Sequence, residues 1–282
     1  MSKIDCVVIG CGPCGITAAV YLKRYGFRPV VIGKDNGALE KAHTIENYYG
    51  FSSVSGKELV QKGIRQAEAL GIEVISDEVL GIVPEQGYRV ICKNREFEAK
   101  TILLAVGAAR NKFPLAERFE GSGVSYCATC DGFFYRKKKT AIIGSGEYML
   151  HELEVLRNIV PDLTVFTNGE PLTVDTGGIP VISERILSFN GQEHLESITT
   201  TNNTYPAAGC FIAAGSASGF TLAKHLGIAL DGNYILVDKD KMTNLPGIFA
   251  GGDCIGGLLQ VSKAVSDGAI AATAIVKYLK RS

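Results

Sequence analysis

Short apolar runs that break at glycine turns and restart as helical spacing set the rhythm of this chain. Cys6-Val7-Val8-Ile9 reads as a fully buried strand, since four successive apolar residues leave no polar face. Gly10-Cys11-Gly12-Pro13-Cys14-Gly15 follows, and residues 16–24 then show helical spacing that stops at Gly26. Val30-Val31-Ile32 is the next strand, which completes a βαβ unit. Residues 101–106 form another apolar strand running into Gly107-Ala108-Ala109, read as a crossover into an inserted segment. Within that segment, residues 140–143 and 163–166 read as strands, the first followed by Gly144-Ser145-Gly146. Near the end, Gly247-Ile248-Phe249-Ala250 leads into Gly251-Gly252-Asp253. A long helix then runs from about 260 to 279, with Val261, Ala264, Val265, Ala269, Ala272 and Val276 expected on its inner face.

Composition narrows the class without naming an activity. The chain has 282 residues, 46% hydrophobic and 21% charged, which suits a soluble globular protein of one large or two modest domains. Met1-Ser2-Lys3 runs almost directly into the apolar residues 4–9, so no secretory leader is expected, and no apolar run approaches the roughly 18 residues needed to span a bilayer. The expectation is a cytoplasmic protein with neither a membrane nor a nucleic acid as partner. Eight cysteines in that setting predict reduced thiols, with any disulfide being catalytic. Cys6, Cys92 and Cys210 lie in apolar strand contexts and read as small buried hydrophobes.

Charge is balanced overall, with 29 cations and 29 carboxylates, but unevenly placed. Residues 140–212 hold two cations, Arg157 and Arg185, against nine carboxylates, so that stretch is −7 and the remainder +7. An acidic middle inside a basic remainder implies two bodies with different electrostatic tasks.

The densest chemistry lies in Cys127-Ala128-Thr129-Cys130-Asp131. A C-x-x-C pair interconverts between dithiol and disulfide with little backbone movement, and an adjacent carboxylate can supply or take the proton of each exchange step. A zinc site would need a second C-x-x-C at suitable distance. Cys11-Gly12-Pro13-Cys14 is over a hundred residues away, whereas zinc ribbons use roughly 15–20; no metal is expected. The same C-G-P-C string is a redox motif elsewhere, but here its cysteines occupy the variable positions of a G-x-G-x-x-G turn, where a bound pyrophosphate would cover them. That turn has the strand before it and the helix after it that phosphate binding requires. Asp253, at a strand end before a helix, suits the hydroxyls of a ribityl chain, the alternative being a cap for that helix.

Taken in order, V-S-Y-C-A-T-C-D-G-F-F-Y, G-C-G-P-C-G, T-N-L-P-G-I-F-A-G-G-D and the distal Gln260 resemble the low-molecular-weight flavoprotein thioredoxin reductases over essentially the whole chain. The resemblance implies an α/β fold of two Rossmann-like domains, the second inserted in the first. An FAD-binding domain would comprise residues 1–112 and 212–282, and an inserted nucleotide-binding-like domain, residues 113–211, would carry the redox pair. It implies catalysis by Cys127 and Cys130, Cys130 nearer the flavin, with Asp131 as acid/base. Implied FAD contacts are Gly10, Gly12, Pro13, Cys14 and Gly15 in the first turn, Gly33, Lys34 and Asp35 after the second strand, Asn47, Val79 and Gly107, and Gly252, Asp253, Gln260 and Val261 near the C-terminus. Thioredoxin is the implied substrate, a homodimer the implied assembly, and a twist between domains part of the cycle.

Departures from that family concern the donor. Its NADPH loop continues G-x-G-x-x-A, but here Gly144-Ser145-Gly146-Glu147-Tyr148-Met149 places a large side chain where close helix–strand packing is expected. Thr167-Asn168-Gly169-Glu170 replaces the basic cluster that a 2′-phosphate needs. The pattern resembles the ferredoxin-dependent flavin thioredoxin reductases, and the basic part of the chain, Arg136-Lys137-Lys138-Lys139 with Lys277, Lys280 and Arg281, could steer an acidic ferredoxin. Two alternatives stay open: a nicotinamide donor at a divergent site, such as NADH with Glu170 on its ribose, and a second flavin in place of the nicotinamide. Outside enzymes, a flavin-binding redox sensor or a structural zinc protein also remains.

Overall fold

The computed structural model describes residues 4–107, 113–126, 128–214, 219–232 and 234–281. The chain divides into two compact units, one of Met1–Ala109 with Ser218–Ser282 and one of Arg110–Ala217. Each is built on its own sheet, mixed in the first unit and parallel in the second, a two-domain Rossmann-type α/β fold.

In the first unit the strands lie in the order Glu73–Ser76, Pro29–Gly33, Ile4–Ile9, Glu96–Leu104, Gly87–Cys92, Val79–Glu85. Glu96–Leu104 is long enough to serve two neighbours on one side. Its first half pairs antiparallel with Gly87–Cys92. Its second half pairs parallel with Ile248–Ala250, a strand from the far end of the chain. Ile4–Ile9 has parallel neighbours on both sides. Both faces of this central strand are buried as well, which accounts for an unbroken apolar run: Cys6, Val7 and Val8 have no exposed surface.

Two helices cover one face of this sheet, Pro13–Arg24 and Val261–Leu279. They approach closely because Gly268 lacks a side chain: a Cβ there would lie 2.3 Å from the Cys14 carbonyl oxygen. The expected inner face of the second helix needs correction. Ala264, Ala272 and Val276 are buried, but Val261, Val265 and Ala269 are only half-buried. The seam runs through Asp267, Gly268, Ala271 and Ala274 instead, because a buried ion pair and a glycine contact draw that side inward.

The second unit holds a five-stranded parallel sheet in the order Val181–Ile182, Leu163–Phe166, Thr140–Ile143, Gly209–Ile212, Val124–Ser125. The helix Glu147–Arg157 buries Met149, Leu153 and Leu156. A three-stranded antiparallel ribbon, Ile186–Asn190, Ser197–Thr200 and Thr204–Pro206, completes it. No helix among the described residues is long and apolar enough to cross a membrane.

Candidate active site

The C-x-x-C segment belongs to the second unit. Cys127 lies outside the described residues, and of Cys130 only the backbone is described, within the single helical turn Ala128–Asp131. The surroundings are well fixed. Ser125, at the end of an edge strand, donates its hydroxyl to Asp131 Oδ2 at 2.6 Å, so the acid proposed from sequence is oriented by the strand that precedes the pair. Burial raises the Tyr135 hydroxyl pKa, and the Asp131 charge raises it further. Beneath the turn, Glu152 is 2% exposed and its Oε2 accepts the Ala128 N–H at 2.9 Å. Beyond the turn, Phe133 and Phe134 are 60% and 69% exposed, and the Arg136 guanidinium lies 4.1 Å from the centre of the Phe133 ring. Arg136, Lys137, Lys138 and Lys139 are all exposed. Lys138 sits over the Tyr135 ring, 5.4 Å from its centre.

The same unit contains the second glycine turn, and here one expectation fails. Met149 does not hold its helix away from the sheet. It is fully buried against Gly144, where a Cβ would stand 2.6 Å from Met149 Cβ. The missing glycine side chain makes the room. What covers this turn is a different residue, Thr173, whose backbone N–H (2.9 Å) and hydroxyl (3.0 Å) both donate to the Ser145 carbonyl. Arg157, one of the two cations between 140 and 212, is folded away, donating from Nη2 to the Thr176 carbonyl at 2.8 Å. Glu170 is exposed, with its N–H bonded to the Thr167 carbonyl. Sequence pattern alone did not single out Thr173, because a lone threonine in a polar loop carries no signal until its partner is known.

In the first unit, each glycine of the first turn has its own reason. At Gly10, with φ at +115°, a Cβ would lie 2.2 Å from the Ala105 carbonyl oxygen, and at Gly15 it would lie 1.9 Å from the Gly10 carbonyl oxygen. These two make the turn possible. Gly12 differs: a Cβ there would meet nothing within 4 Å, so its absence keeps the approach to the backbone open. Gly12 is also the N-cap of Pro13–Arg24, no side chain caps that helix, and Pro13 fills its first position without an N–H to satisfy.

Cys11 and Cys14 are free and buried. Cys11 donates its thiol to the Asp35 carbonyl at 3.0 Å, and a Cβ on Gly33 would lie 2.7 Å from its sulfur. Cys14 packs under Gly251, 2.9 Å from where a Cβ would stand. Burial raises the thiol pKa of both, Cys14 well above its ordinary value with Cys254 and Asp267 adding to the effect. Both are packed into the core of the first unit. Cys6, Cys92 and Cys254 are likewise pushed by burial to about 12, and Cys210 is raised by burial alone.

The C-terminal strand ends in Gly251-Gly252-Asp253, and Asp253 enters a short turn, Gly252–Ile255. It does not cap Val261–Leu279, whose N-cap is Gln260. Its half-buried carboxylate makes no hydrogen bond or ion pair with the described residues. Asn47 and Gln260, far apart in sequence, are joined by a 3.0 Å bond from Asn47 Nδ2 to Gln260 Oε1. Of the remaining sequence candidates, Lys34 pairs with Glu78 at 3.1 Å and Asp35 accepts the Gly37 N–H. Val79 is buried at a strand start, Gly107 has φ +72° with open space beside it, and Val261 begins the long helix.

A cluster that periodicity obscured holds the C-terminal turn. Asp267 is 3% exposed and pairs with both Lys241 and Lys263 at 2.8 Å, while also accepting the Gly252 N–H at 3.0 Å. Lys263 donates further to the Gly252 and Gly256 carbonyls, each at 2.7 Å. Desolvation works against the Asp267 charge, but hydrogen bonds from Lys241 and Lys263 outweigh it and leave the carboxyl below its usual range. The i,i+4 spacing of Lys263 and Asp267 within an otherwise apolar helix was the available signal. The open backbone at Gly12, the uncapped helix start and the unpartnered Asp253 together fit a dinucleotide cofactor.

Comparison with known proteins places this geometry. A profile of the pyridine nucleotide-disulphide oxidoreductase family matches residues 4–166 and 173–268, and the break, residues 167–172, contains the Thr167-Asn168-Gly169-Glu170 segment. The atypical thioredoxin reductase TRi from Desulfovibrio vulgaris Hildenborough has 36% identity and a TM-score of 0.92, covering 99% of both chains. A ferredoxin-flavin thioredoxin reductase from Clostridium acetobutylicum has 26% identity and a TM-score of 0.74, with the same coverage. The thioredoxin reductase of Listeria monocytogenes is 29% identical over 98% of this chain and 94% of its own length. The chain belongs to the pyridine nucleotide-disulphide oxidoreductase family.

Proposed function

We propose that this protein is an FAD-dependent disulfide oxidoreductase that reduces thioredoxin, with reduced ferredoxin rather than NADPH as its electron donor. The C-x-x-C-D string supports the disulfide chemistry, and the thioredoxin reductases among its relatives support the substrate. The observation that carries the donor reading is Thr173, bonded twice to the Ser145 carbonyl across the second glycine turn, with Arg157 folded onto the Thr176 carbonyl. The ferredoxin-flavin relative supports it independently.

When bound, FAD accepts electrons singly and releases them as a pair. Gly12 would admit its pyrophosphate to the backbone at the helix start, where the N–H groups and the helix dipole favour an anion. Asp253 would accept hydrogen bonds from its hydroxyls, and the Asn47–Gln260 pair would set an amide edge against its ring. Cys127 and Cys130, as a disulfide, take up two electrons and two protons to become a dithiol. Asp131, held by Ser125, is the local group that can carry one of those protons. The exposed Phe133 and Phe134 offer the apolar surface on which a thioredoxin would dock.

Two measurements test this. The Asp253→Ala protein should bind FAD about 10- to 100-fold more weakly, the loss of one charge-assisted hydrogen-bonding group; unchanged affinity by fluorescence titration would remove that carboxylate from the site. Flavin-loaded protein reduced anaerobically with dithionite and freed of excess reagent should pass electrons to oxidised thioredoxin. Failure to generate thioredoxin thiols would reject the substrate.

A further inference from the structure

Three charged side chains converge under the C-terminal turn, and the backbone groups they bind all belong to it. The Asp267 carboxylate is 3% exposed, accepts the Gly252 N–H at 3.0 Å and pairs with Lys241 and Lys263, each at 2.8 Å. The Lys263 ammonium donates in turn to the Gly252 and Gly256 carbonyls, each at 2.7 Å. One side chain thus holds both ends of Gly252–Ile255, and the Gly256 N–H closes the turn on the Asp253 carbonyl at 3.1 Å. Lys241 joins the cluster from a left-handed backbone position, φ +67°, which a side chain makes unfavourable. Its carbonyl accepts the Ala250 N–H at 3.0 Å, so the strand that enters the turn is tied to the same loop. At Gly251 a Cβ would lie 2.9 Å from Cys14 Sγ and 3.2 Å from Asp267 Cβ, so the first glycine turn and the C-terminal turn meet at this cluster. Apolar packing would fill such a space at lower cost than three buried charges.

Asp253 is the residue this arrangement serves. Its carboxylate makes no hydrogen bond or ion pair with the described residues, so its direction is set through its own backbone. The peptide that joins Gly252 to Asp253 is the one whose carbonyl Lys263 holds. We propose that Lys263, braced by Asp267 and Lys241, is a positioning residue for cofactor binding: it fixes the Gly252–Asp253 peptide in advance, so that the Asp253 carboxylate meets the hydroxyls of FAD without a change of backbone. The inference rests on the reading of Asp253 as an FAD ligand. A turn ordered beforehand removes the entropy of ordering it from the binding step. Lys263 acts through Asp253 and need not itself reach the cofactor.

The experiment is a double-mutant cycle on FAD affinity, read by fluorescence titration of the full chain. Lys263→Met keeps the apolar stem and leaves Asp267 paired with Lys241 and with the Gly252 N–H. It should weaken FAD binding about tenfold in the otherwise unsubstituted protein, but less than about twofold in the Asp253→Ala background, where the carboxylate it positions is gone. Lys239→Met, which removes an exposed lysine beside the same cluster in sequence, should leave the affinity unchanged. Unchanged affinity in Lys263→Met overturns the proposal. An equal loss in both backgrounds also overturns it, by reducing Lys263 to a general support of the fold. An equal loss in Lys239→Met overturns it too, by reducing the effect to net charge. Failure of the underlying reading is separable: it appears as unchanged affinity in Asp253→Ala alone, and it takes the proposal with it. Should Lys263→Met fail to fold, hydrogen exchange of the unsubstituted, flavin-free chain answers the same question. Its Gly252 and Gly256 amides should already exchange at least about a hundredfold more slowly than those of an unfolded chain, and unprotected amides overturn the proposal.

Discussion

Reduced ferredoxin should bleach the flavin of this protein in anaerobic mixing, while NADPH at micromolar concentration should leave it oxidised. The expectation follows from the second glycine turn. A 2′-phosphate needs a cation, and Thr167-Asn168-Gly169-Glu170 supplies none. Arg157 is committed to the Thr176 carbonyl, and the Ser145 carbonyl is already occupied twice by Thr173. The energetics favour the alternative donor: a ferredoxin near −400 mV lies about 130 mV below thioredoxin, or about 6 kcal/mol for the two-electron reduction of one disulfide. If exposed cations such as Arg136 to Lys139 guide an acidic donor, the rate should fall as salt shortens the Debye length from about 10 Å at 0.1 M to about 3 Å at 1 M. Rapid bleaching by NADPH would defeat the donor assignment. Bleaching by NADH alone would instead favour Glu170 as a ribose ligand.

The second large effect is expected at the pair itself. Cys127→Ser and Cys130→Ser should each abolish thioredoxin reduction, a loss of at least about a thousandfold, while the flavin stays bound. Hydroxyls cannot form the disulfide through which an electron pair passes. The double variant Cys11→Ala with Cys14→Ala serves as the contrast. Both thiols are buried, raised in pKa by burial and engaged in packing, so most activity should remain. An inactive double variant that still binds flavin would transfer the redox role to the first glycine turn.

Much of this architecture could be read from local pattern. The strand–glycine turn–helix units at Cys6 and at Thr140 declare themselves because a parallel strand is apolar throughout and its phosphate-type turn has few allowed sequences. The pairing of Asn47 with Gln260 was only half legible: each residue was a candidate, but nothing local says that two amides so far apart will meet. Asp267 shows the limit of periodicity. A charged residue on a helix is normally assigned to solvent, and only Lys241, from a separate loop, turns that position into an interior one. Met149 failed for a similar reason, since its fit depends on the absent side chain of Gly144. Thr173 was invisible because its role consists entirely of a partner outside its own segment.

The long strand Glu96–Leu104 has a consequence for how the chain is made. Its second half meets Ile248–Ala250, and Pro13–Arg24 packs on Val261–Leu279, so the first unit joins segments from before and after the second unit. During synthesis the N-terminal strands leave the ribosome with one sheet edge unfinished, and the intervening unit, made of near neighbours in sequence, can complete itself first. The Gly252 turn of the first unit is assembled only when the Val261–Leu279 helix is released, because Lys263 and Asp267 on that helix hold it. A nascent chain that has emerged from the ribosome as far as residue 217, with the Val261–Leu279 helix still to come, would therefore carry the segment bearing the cysteine pair before the first unit is complete.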